Sequence, residues 1–233
     1  MIIRNTRKIH GAAKKYYYQC KCRDAKHYKN PTKEELTSIE EHILQMGTKI
    51  HEYVVCPKAF HKFKQNLSFP IDYHGGAKSG VYDEKLLEHY ISFDRLGLKY
   101  FNNDERYVDV AACGSPWARL LRESHGIQAY AIDLIVQKDF KDMDYYLRMD
   151  ATKTGFPDSS IKGMSLQCAY EMFLHTDDMD FIREAYRILV KGGKIIIVPL
   201  YMHTHYCSYS SPDYWGKGYS DREGKEYIRF DAY

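Results

Sequence analysis

The sequence predicts an α/β fold with a doubly wound, mostly parallel β-sheet. From about residue 106, short β-rich apolar runs alternate with helical stretches, the order that parallel strands with crossover helices require. Acidic residues lie toward the carboxyl ends of three consecutive predicted strands, at Asp109, Asp133 and Asp150. Because such strand ends meet at one edge of an open sheet, the three acids are expected to line one crevice.

The first part of this series is a strand, a helix and a second strand. RYVDVAA at 106–112 is the first predicted strand. Ser115 and Pro116 are a suitable N-cap and first-turn pair for the helix WARLLRESH, and Gly126 is expected to end it. QAYAIDL at 128–134 is the second predicted strand.

The second part continues the alternation with three more strands. The third and fourth are predicted at 145–151 and 163–169. A helix with apolar residues at helical spacing is expected to begin near Asp177 and to end at Gly192-Gly193. The fifth strand, KIIIVPL, is predicted at 194–200.

Two domains are predicted, a partly helical cap over residues 1–82 and the sheet domain over 83–233. A helix is expected to open at Pro31-Thr32 and to run to Gly47, and DEKLLEHYISFDRLGL at 83–98 is expected to form another.

The segment after the fifth strand is rich in aromatic and polar residues. YCSYSSPDYWGKGYS, at 206–220, is expected to be a loop, and YIRFDAY, at 227–233, could begin a sixth strand. The C-terminal strands of the sheet are therefore expected to be incomplete.

Composition bounds the class of protein. A hydrophobic fraction of 44% and a charged fraction of 28% are ordinary for a soluble globular protein and exclude disordered or collagen-like classes. No apolar run approaches the roughly 18 to 20 residues of a membrane span, and the N-terminus lacks the apolar stretch of a signal peptide. The six cysteines are scattered, so free thiols and a cytoplasmic location are expected.

The acids and the first strand-to-helix turn suggest how a ligand would bind. Asp109 lies inside a strand expected to be covered on both faces, where a carboxylate is costly unless paired, and a ligand ammonium would pair with it. The helix after the turn would point its N–H groups at an anion such as a carboxylate. Asp133, 24 residues after Asp109, lies where nucleotide sites accept ribose hydroxyl protons. Asp150 is positioned for an adenine amino group.

The segments VDVAACGSPWARLL, AYAIDL, RMDATKTGFPDSSIKGMSLQCAYEMF and FIREAYRILVKGGKIIIVPLY resemble class I S-adenosylmethionine (SAM) dependent methyltransferases of the type 11 kind. The resemblance covers roughly residues 85 to 205 and implies a Rossmann-like fold, SAM as cofactor and methyl transfer as activity. Where that family usually has three glycines, this chain has Ala111, Cys113 and Ser115. SPWARLL, SLQCAYEMF and IVPLY are also similar to methyltransferases of surface-glycan and lipopolysaccharide biosynthesis.

The residues and the resemblance together give a set of expected SAM-binding residues. These are Asp109, Ala111, Ala112, Cys113, Gly114, Ser115, Asp133, Leu134, Asp150, Ala151, Gln167 and Cys168.

The expected reaction is in-line methyl transfer to an oxygen of a small-molecule or glycan acceptor. In the surface-glycan family, an acid and a histidine often lie near the end of strand four, and here Glu171 is followed by Met172. Glu171 and His175 are the candidate general bases, with His203 and His205 as alternatives that are more often surface residues.

Two other functions remain open at this stage. The first 30 residues carry nine Lys or Arg residues against one acid, Asp24, which would suit a nucleic-acid (RNA) methyltransferase. The altered glycine loop would suit a SAM-binding module without activity. No metal is expected, because the C-x-C-x4-H spacing of Cys20, Cys22 and His27 is not that of a structural zinc site, even with Cys56 and His61 counted.

Overall fold

The computed structural model describes residue 16 and residues 29–76, 78–211 and 224–229. The chain forms two compact units, one from residues 52–201 and the other from residues 1–51 together with 202–233. The predicted boundary at residue 82 stays a prediction.

The larger unit is built on a five-stranded sheet in which all strands are parallel. Its strands are β1 Arg106–Val110, β2 Gln128–Asp133, β3 Tyr146–Arg148, β4 Ile161–Gln167 and β5 Leu189–Val198. The order across the sheet is β3-β2-β1-β4-β5. The chain starts in the middle and winds outward in both directions, so the predicted doubly wound α/β fold is confirmed.

Helices cover both faces of this sheet. The described α-helices of this unit are α2 Pro57–Asn66, α3 Gly80–Leu96, α4 Trp117–His125 and α5 Asp177–Ile188, numbered after α1 Lys33–Gln45 of the smaller unit. Helix α3 begins where the Ser79 hydroxyl accepts the Tyr82 amide at 3.2 Å. Helix α4 ends as predicted at Gly126, whose φ of 67° is left-handed.

Side chains on the two faces of β1 pack into two separate hydrophobic cores. Tyr107 lies in the core that α2, α3 and α4 form, with Trp117 among its fully buried residues. Val108 and Val110 point to the opposite core, which contains Phe181 of α5. Since successive residues of a strand face opposite sides, Asp109 shares the Tyr107 face.

A buried polar network ties the sheet to the helices on that first face. The Tyr107 hydroxyl lies 2.5 Å from the Ser165 hydroxyl and accepts the Trp117 indole N–H at 3.0 Å. The Gln167 amide donates to Ser165 at 2.6 Å and to Ser92 of α3 at 3.1 Å. Each buried polar group is satisfied by another, which keeps β1, β4, α3 and α4 in one arrangement.

Several element ends differ from the prediction. Strand β1 stops at Val110, because Ala111 has a φ of 53° that a strand cannot continue through. Helix α5 stops at Ile188, before the predicted glycine stop, since Leu189 already has an extended backbone. Gly192 does take a left-handed φ of 77°, but it lies within β5, where the register with β4 shifts.

One helix and two strands of the smaller unit have both of their ends among the described residues. Helix α1, Lys33–Gln45, starts in a capping box in which Thr32 and Glu35 exchange hydrogen bonds of 3.3 and 2.8 Å. Strands β6 Cys207–Ser210 and β7 Lys225–Ile228 pair in parallel. The loop predicted at 206–220 was therefore wrong over β6, where Cys, Ser and Tyr pair along a strand.

The predicted sixth strand corresponds in part to β7, which begins before Tyr227 and pairs with β6 rather than with the five-stranded sheet. None of the described helices has both the length and the apolar character that a membrane crossing requires. A cytoplasmic location stays a prediction.

Candidate functional site

The loop after β1 has an unusual backbone. Ala111, Cys113 and Gly114 have φ angles of 53°, 41° and 75°, and two of these three residues are not glycine. A non-glycine residue in the left-handed region costs roughly 1 to 2 kcal/mol, and such positions cluster where a ligand is held. The Ser115 amide closes the loop with a 2.6 Å bond to the Ala112 carbonyl.

Asp133 joins this loop to the end of β2. One carboxylate oxygen accepts the Cys113 amide at 2.8 Å, and the other accepts the Ile135 amide at 2.9 Å. The side chain is only partly buried, and each oxygen keeps a further acceptor position. Asp133 therefore holds the loop, and its predicted role toward a ligand ribose stays a prediction.

Gln137 covers the same loop and was not predicted. Its side-chain amide donates to the Cys113 carbonyl at 3.0 Å, and a Cβ atom at Gly114 would overlap the Gln137 amide. Its φ angle favours glycine at position 114, and a Cβ there would push the flexible end of Gln137 away. A small pocket opens beside them, lined by Ala112, Gly114, Ala131, Ile132, Asp133, Ile135, Val136, Gln137 and Tyr146. No sequence signal marks a glutamine four residues after a strand end.

Asp109 is the least satisfied acid in the described part of the chain. It is 1% exposed, and neither carboxylate oxygen has a hydrogen-bond partner among the described residues. Burial raises the pKa of Asp109 well above its usual range, and the charge of Asp133 adds to the rise. The Ser115 hydroxyl opposes it but lies outside hydrogen-bonding geometry.

An orphaned buried carboxylate fits a cationic ligand group, because only a paired charge is tolerated in such a place. The ammonium of an amino-acid moiety would supply that pairing beside the 111–115 loop. Asp109, Asp133 and the loop therefore fit SAM, through its ammonium and its ribose.

Ser115 is buried behind the loop rather than exposed on it. Its hydroxyl accepts the Trp117 amide at 3.2 Å and the Tyr73 hydroxyl at 3.4 Å, and its carbonyl accepts the Tyr146 hydroxyl at 2.5 Å. The prediction of Ser115 as the N-cap was wrong, because Pro116 occupies that position and gives α4 no side-chain cap hydrogen bond. The Trp117 N–H at the helix start is nevertheless used by the protein itself.

Behind Ser115 lies a histidine that the sequence analysis missed. His89 of α3 is 2% exposed, its Nε2 atom lies 2.9 Å from the Tyr73 hydroxyl, and its ring stacks on Trp117 at 4.8 Å. Burial lowers the pKa of His89 to about 3, so its ring is neutral. Its Nδ1 atom has no partner among the described residues.

Asp150 follows β3 and binds its own turn. Its Oδ1 atom accepts both the backbone amide and the hydroxyl of Thr152 at 2.8 Å, the pattern of an Asx turn. Ala151 is partly buried and Leu134 is 64% exposed. The role of these residues toward adenine stays a prediction.

The candidate catalytic residues lie after β4. Gln167 is drawn into the buried network, whereas Cys168 is half-buried with a left-handed φ of 51°. Glu171 is exposed in the 3-10 turn Tyr170–Met172, and His175 is exposed with a φ of 56°. Of the four histidine and glutamate candidates, Glu171 and His175 follow β4, and His203 and His205 belong to the other unit.

A buried ion pair from α3 lies beside Cys168 and was not predicted. The Lys85 ammonium is 3.0 Å from both oxygens of Glu88. Burial raises the pKa of Glu88 to about 7, and Lys85 opposes the rise. Burial also raises the pKa of Cys168, and Glu171 adds to this rise whereas Lys85 opposes it. A signal existed, because residues 85, 88 and 92 are polar at helical spacing on one face.

Residues 108–197 match the sequence family described as a methyltransferase domain. No curated protein matches the chain.

Solved structures similar to the chain include three methyltransferases. Phosphoethanolamine N-methyltransferase 2 of Haemonchus contortus, bound to phosphomonomethylethanolamine and S-adenosylhomocysteine, is 20% identical at a TM-score of 0.42; the match covers 55% of this chain and 31% of that one. A putative SAM-dependent methyltransferase of Methanococcus maripaludis is 16% identical at a TM-score of 0.41, and the match covers 65% of this chain and 67% of that one. A putative methyltransferase of Bacillus halodurans is 22% identical at a TM-score of 0.35, and the match covers 45% of this chain and 49% of that one.

The chain therefore spans about a third of the length of the nematode enzyme and about half that of the Bacillus protein. The sheet order is that of a Rossmann-like, doubly wound fold, and residues 108–197 within it are similar to the methyltransferase-domain family.

Proposed function

We propose that this chain transfers a methyl group from SAM to an oxygen atom of a small-molecule or glycan acceptor. The observation that carries the proposal is Asp109, a buried carboxylate with two unpaired oxygens beside a left-handed loop that Asp133 holds in place. That arrangement supports a ligand that presents an ammonium group and a ribose together.

SAM supplies an electrophilic methyl carbon, so the protein needs little covalent chemistry of its own. Asp109 would pair with the ligand ammonium, and Asp133 would accept hydrogen bonds from the ribose hydroxyls. The loop with Gly114 and its Gln137 cover would fix the orientation. Such positioning lowers the barrier by aligning the acceptor with the bond that breaks.

Glu171 is the proposed general base. It follows β4 in an exposed turn, where it can reach an acceptor hydroxyl, and it lies close enough to Cys168 to influence the thiol. Removing the proton as the oxygen attacks contributes roughly 10²- to 10⁴-fold to the rate. His175, four residues further on, is the second candidate.

The test compares S-adenosylhomocysteine production from SAM with a panel of hydroxylated acceptors, including monosaccharides, oligosaccharides and phenols. Glu171→Gln is expected to lower kcat at least about 10²-fold with unchanged SAM affinity, and Glu123→Gln, an exposed helix acid, serves as the matched control. Equal activity of Glu171→Gln and the parent would contradict the base, and His175→Gln would then be compared. SAM binding without turnover on any acceptor would contradict the proposal and would favour the alternative, a SAM-binding module without activity.

The basic N-terminal segment favours one second candidate, a nucleic-acid methyltransferase. Most of that segment lies outside the described residues, so the proposal rests on its nine Lys and Arg residues. Methylation of RNA that falls steeply with added salt would support it, and salt-indifferent activity would count against it.

A further inference from the structure

Three side chains that can bind a metal ion come together in the smaller unit. His203, His205 and Cys207 occupy alternate positions leading into β6, and all three are partly buried. One ligand atom from each lies within 4.8 Å of the others. Alternate residues of an extended chain share one face, which explains why three residues so close in sequence can converge.

We propose that His203, His205 and Cys207 form a zinc-binding site with a fourth position open to water or to another ligand. Imidazole nitrogen and thiolate sulfur are the donors that zinc prefers, whereas calcium and magnesium require oxygen ligands. Sites with three protein ligands leave one tetrahedral position for an external group. The sequence analysis expected no metal and considered His203 and His205 only as alternative general bases.

The spacing of the donors is close to what zinc needs. With Zn–N and Zn–S bonds of about 2.0 and 2.3 Å, donor atoms in a tetrahedral site lie roughly 3.3 to 3.6 Å apart. The donors here are within 4.8 Å of one another, so side-chain rotations that move them by about 1 Å complete the geometry.

Neighbouring hydroxyl groups can orient both imidazole rings. The His205 Nε2 atom lies 2.8 Å from the Tyr227 hydroxyl, so Nδ1 would be the ligand atom. The Thr204 hydroxyl, now 3.2 Å from that Nδ1 atom, would have to turn away from it. The Thr204 hydroxyl lies 3.3 Å from the Nδ1 atom of His203, whose Nε2 atom would then face the metal. Zinc-bound histidines almost always use their second nitrogen for such a hydrogen bond.

Binding also requires a change at His203. Its Nδ1 atom now accepts the Thr204 backbone amide at 2.9 Å, so coordination through Nε2 moves the ring proton to Nδ1, where the Thr204 hydroxyl can accept it.

Charges of both signs act on His205, because Lys225 and Glu35 affect it in opposite directions. Zinc binds neutral imidazole and thiolate, so coordination by Cys207 would release the thiol proton.

The metal would stabilise a small sheet. Strands β6 and β7 form only a two-stranded pair, and such a pair has marginal stability in water. Cys207 lies in β6 and Tyr227 in β7. A zinc ion held by Cys207 and by His205, with Tyr227 bonded to that histidine, would connect both strands.

The experiment uses the untagged full chain, stripped of metal and then titrated with zinc and, separately, with cobalt(II). One ion per chain and a thiolate-to-cobalt charge-transfer band are expected. Cys207→Ser and His205→Ala should remove the band and weaken zinc binding at least about 10-fold. The double variant Cys20→Ser/Cys22→Ser, which changes the other cysteine-rich segment, should bind as the parent does. Loss of binding in that double variant, or an intact band in Cys207→Ser, would overturn the proposal.

A measurement on the unmodified chain guards against variants that fail to fold. Zinc should slow alkylation of Cys207 by iodoacetamide, followed by mass spectrometry, and leave the exposed Cys56 unaffected. Equal alkylation rates of Cys207 with and without zinc would also overturn the proposal.

Discussion

The Cys113 backbone amide donates a 2.8 Å hydrogen bond to the carboxylate of Asp133, which lies 20 residues later in the chain. This contact joins the loop after β1 to the end of β2, the two segments expected to hold opposite ends of the SAM molecule. It makes Asp133 both a structural support of the loop and a candidate ligand of the ribose.

Replacing Asp133 should therefore weaken SAM binding. Asp133→Ala removes the acceptors of the Cys113 and Ile135 amides and of the ribose, so the affinity is expected to fall at least about 10-fold, about 1.4 kcal/mol. Isothermal titration calorimetry with SAM measures it. Asp142→Ala, an exposed acid in the same unit, should bind normally, and an Asp133→Ala affinity equal to that of the control would refute the role.

The affinity for SAM should increase with pH because of Asp109. Burial raises the pKa of this carboxyl, so in the ligand-free protein it holds a proton that an arriving ammonium must displace. Calorimetry in buffers of different ionisation enthalpy should show proton release on binding. Asp109→Asn should lose both the proton release and most of the affinity. A SAM affinity that does not change with pH would contradict this prediction, because it would show that Asp109 is already ionised in the ligand-free protein.

The same raised pKa makes a prediction about stability. In the unfolded chain Asp109 has its ordinary pKa. Its contribution to the free energy of unfolding is therefore fully present below that pKa and is lost as the pH rises through the raised pKa of the folded protein. Asp109→Asn should therefore increase the free energy of unfolding of the SAM-free protein more at about pH 8 than at about pH 4. Urea unfolding at both pH values measures this difference, and a variant less stable than the parent at the higher pH would contradict it.

Gly114→Ala should destabilise the loop. Its φ of 75° disfavours alanine, and the new Cβ would displace Gln137 from the Cys113 carbonyl. A loss of about 1 to 2 kcal/mol in the free energy of unfolding is expected, together with weaker SAM binding. Gly80→Ala is the matched control, because it lies at the start of α3 with open space around it. Equal stability of the two variants would argue against the loop geometry.

Glu184 supports the fold on the other face of the sheet. It accepts the Thr154 amide at 2.7 Å and the Arg187 guanidinium at 2.7 and 2.8 Å. Glu184→Gln should reduce the free energy of unfolding by about 2 kcal/mol, with SAM affinity unchanged. Glu123→Gln, an exposed acid, should have little effect.

The pH dependence of this site has the opposite sign to that of Asp109. The Arg187 hydrogen bonds lower the pKa of Glu184 in the folded protein. The contribution of Glu184 to the free energy of unfolding is therefore present above the pKa of the unfolded chain and is lost as the pH falls through the pKa of the folded protein. Acid unfolding of Glu184→Gln should therefore be less steep than that of the parent. Identical acid transitions would contradict it.

Much of the sheet domain could be predicted from the sequence because the signals are local. Apolar runs, the Gly126 stop and the acids at 109 and 133 follow from hydrophobic periodicity and strand-end chemistry within short windows. Element ends were less predictable. The Gly192-Gly193 pair looks like a helix stop, but β4 pairing extends β5 back to Leu189.

The sequence by itself determined the doubly wound order of elements, since that order depends on short-range patterns of apolar residues. Only the tertiary structure decided that Gln137 covers Gly114, that His89 lies behind Ser115, and that Lys85 pairs with Glu88 beside Cys168. These contacts join segments that are distant in sequence. Their existence depends on how helices pack on the sheet, which no local window encodes.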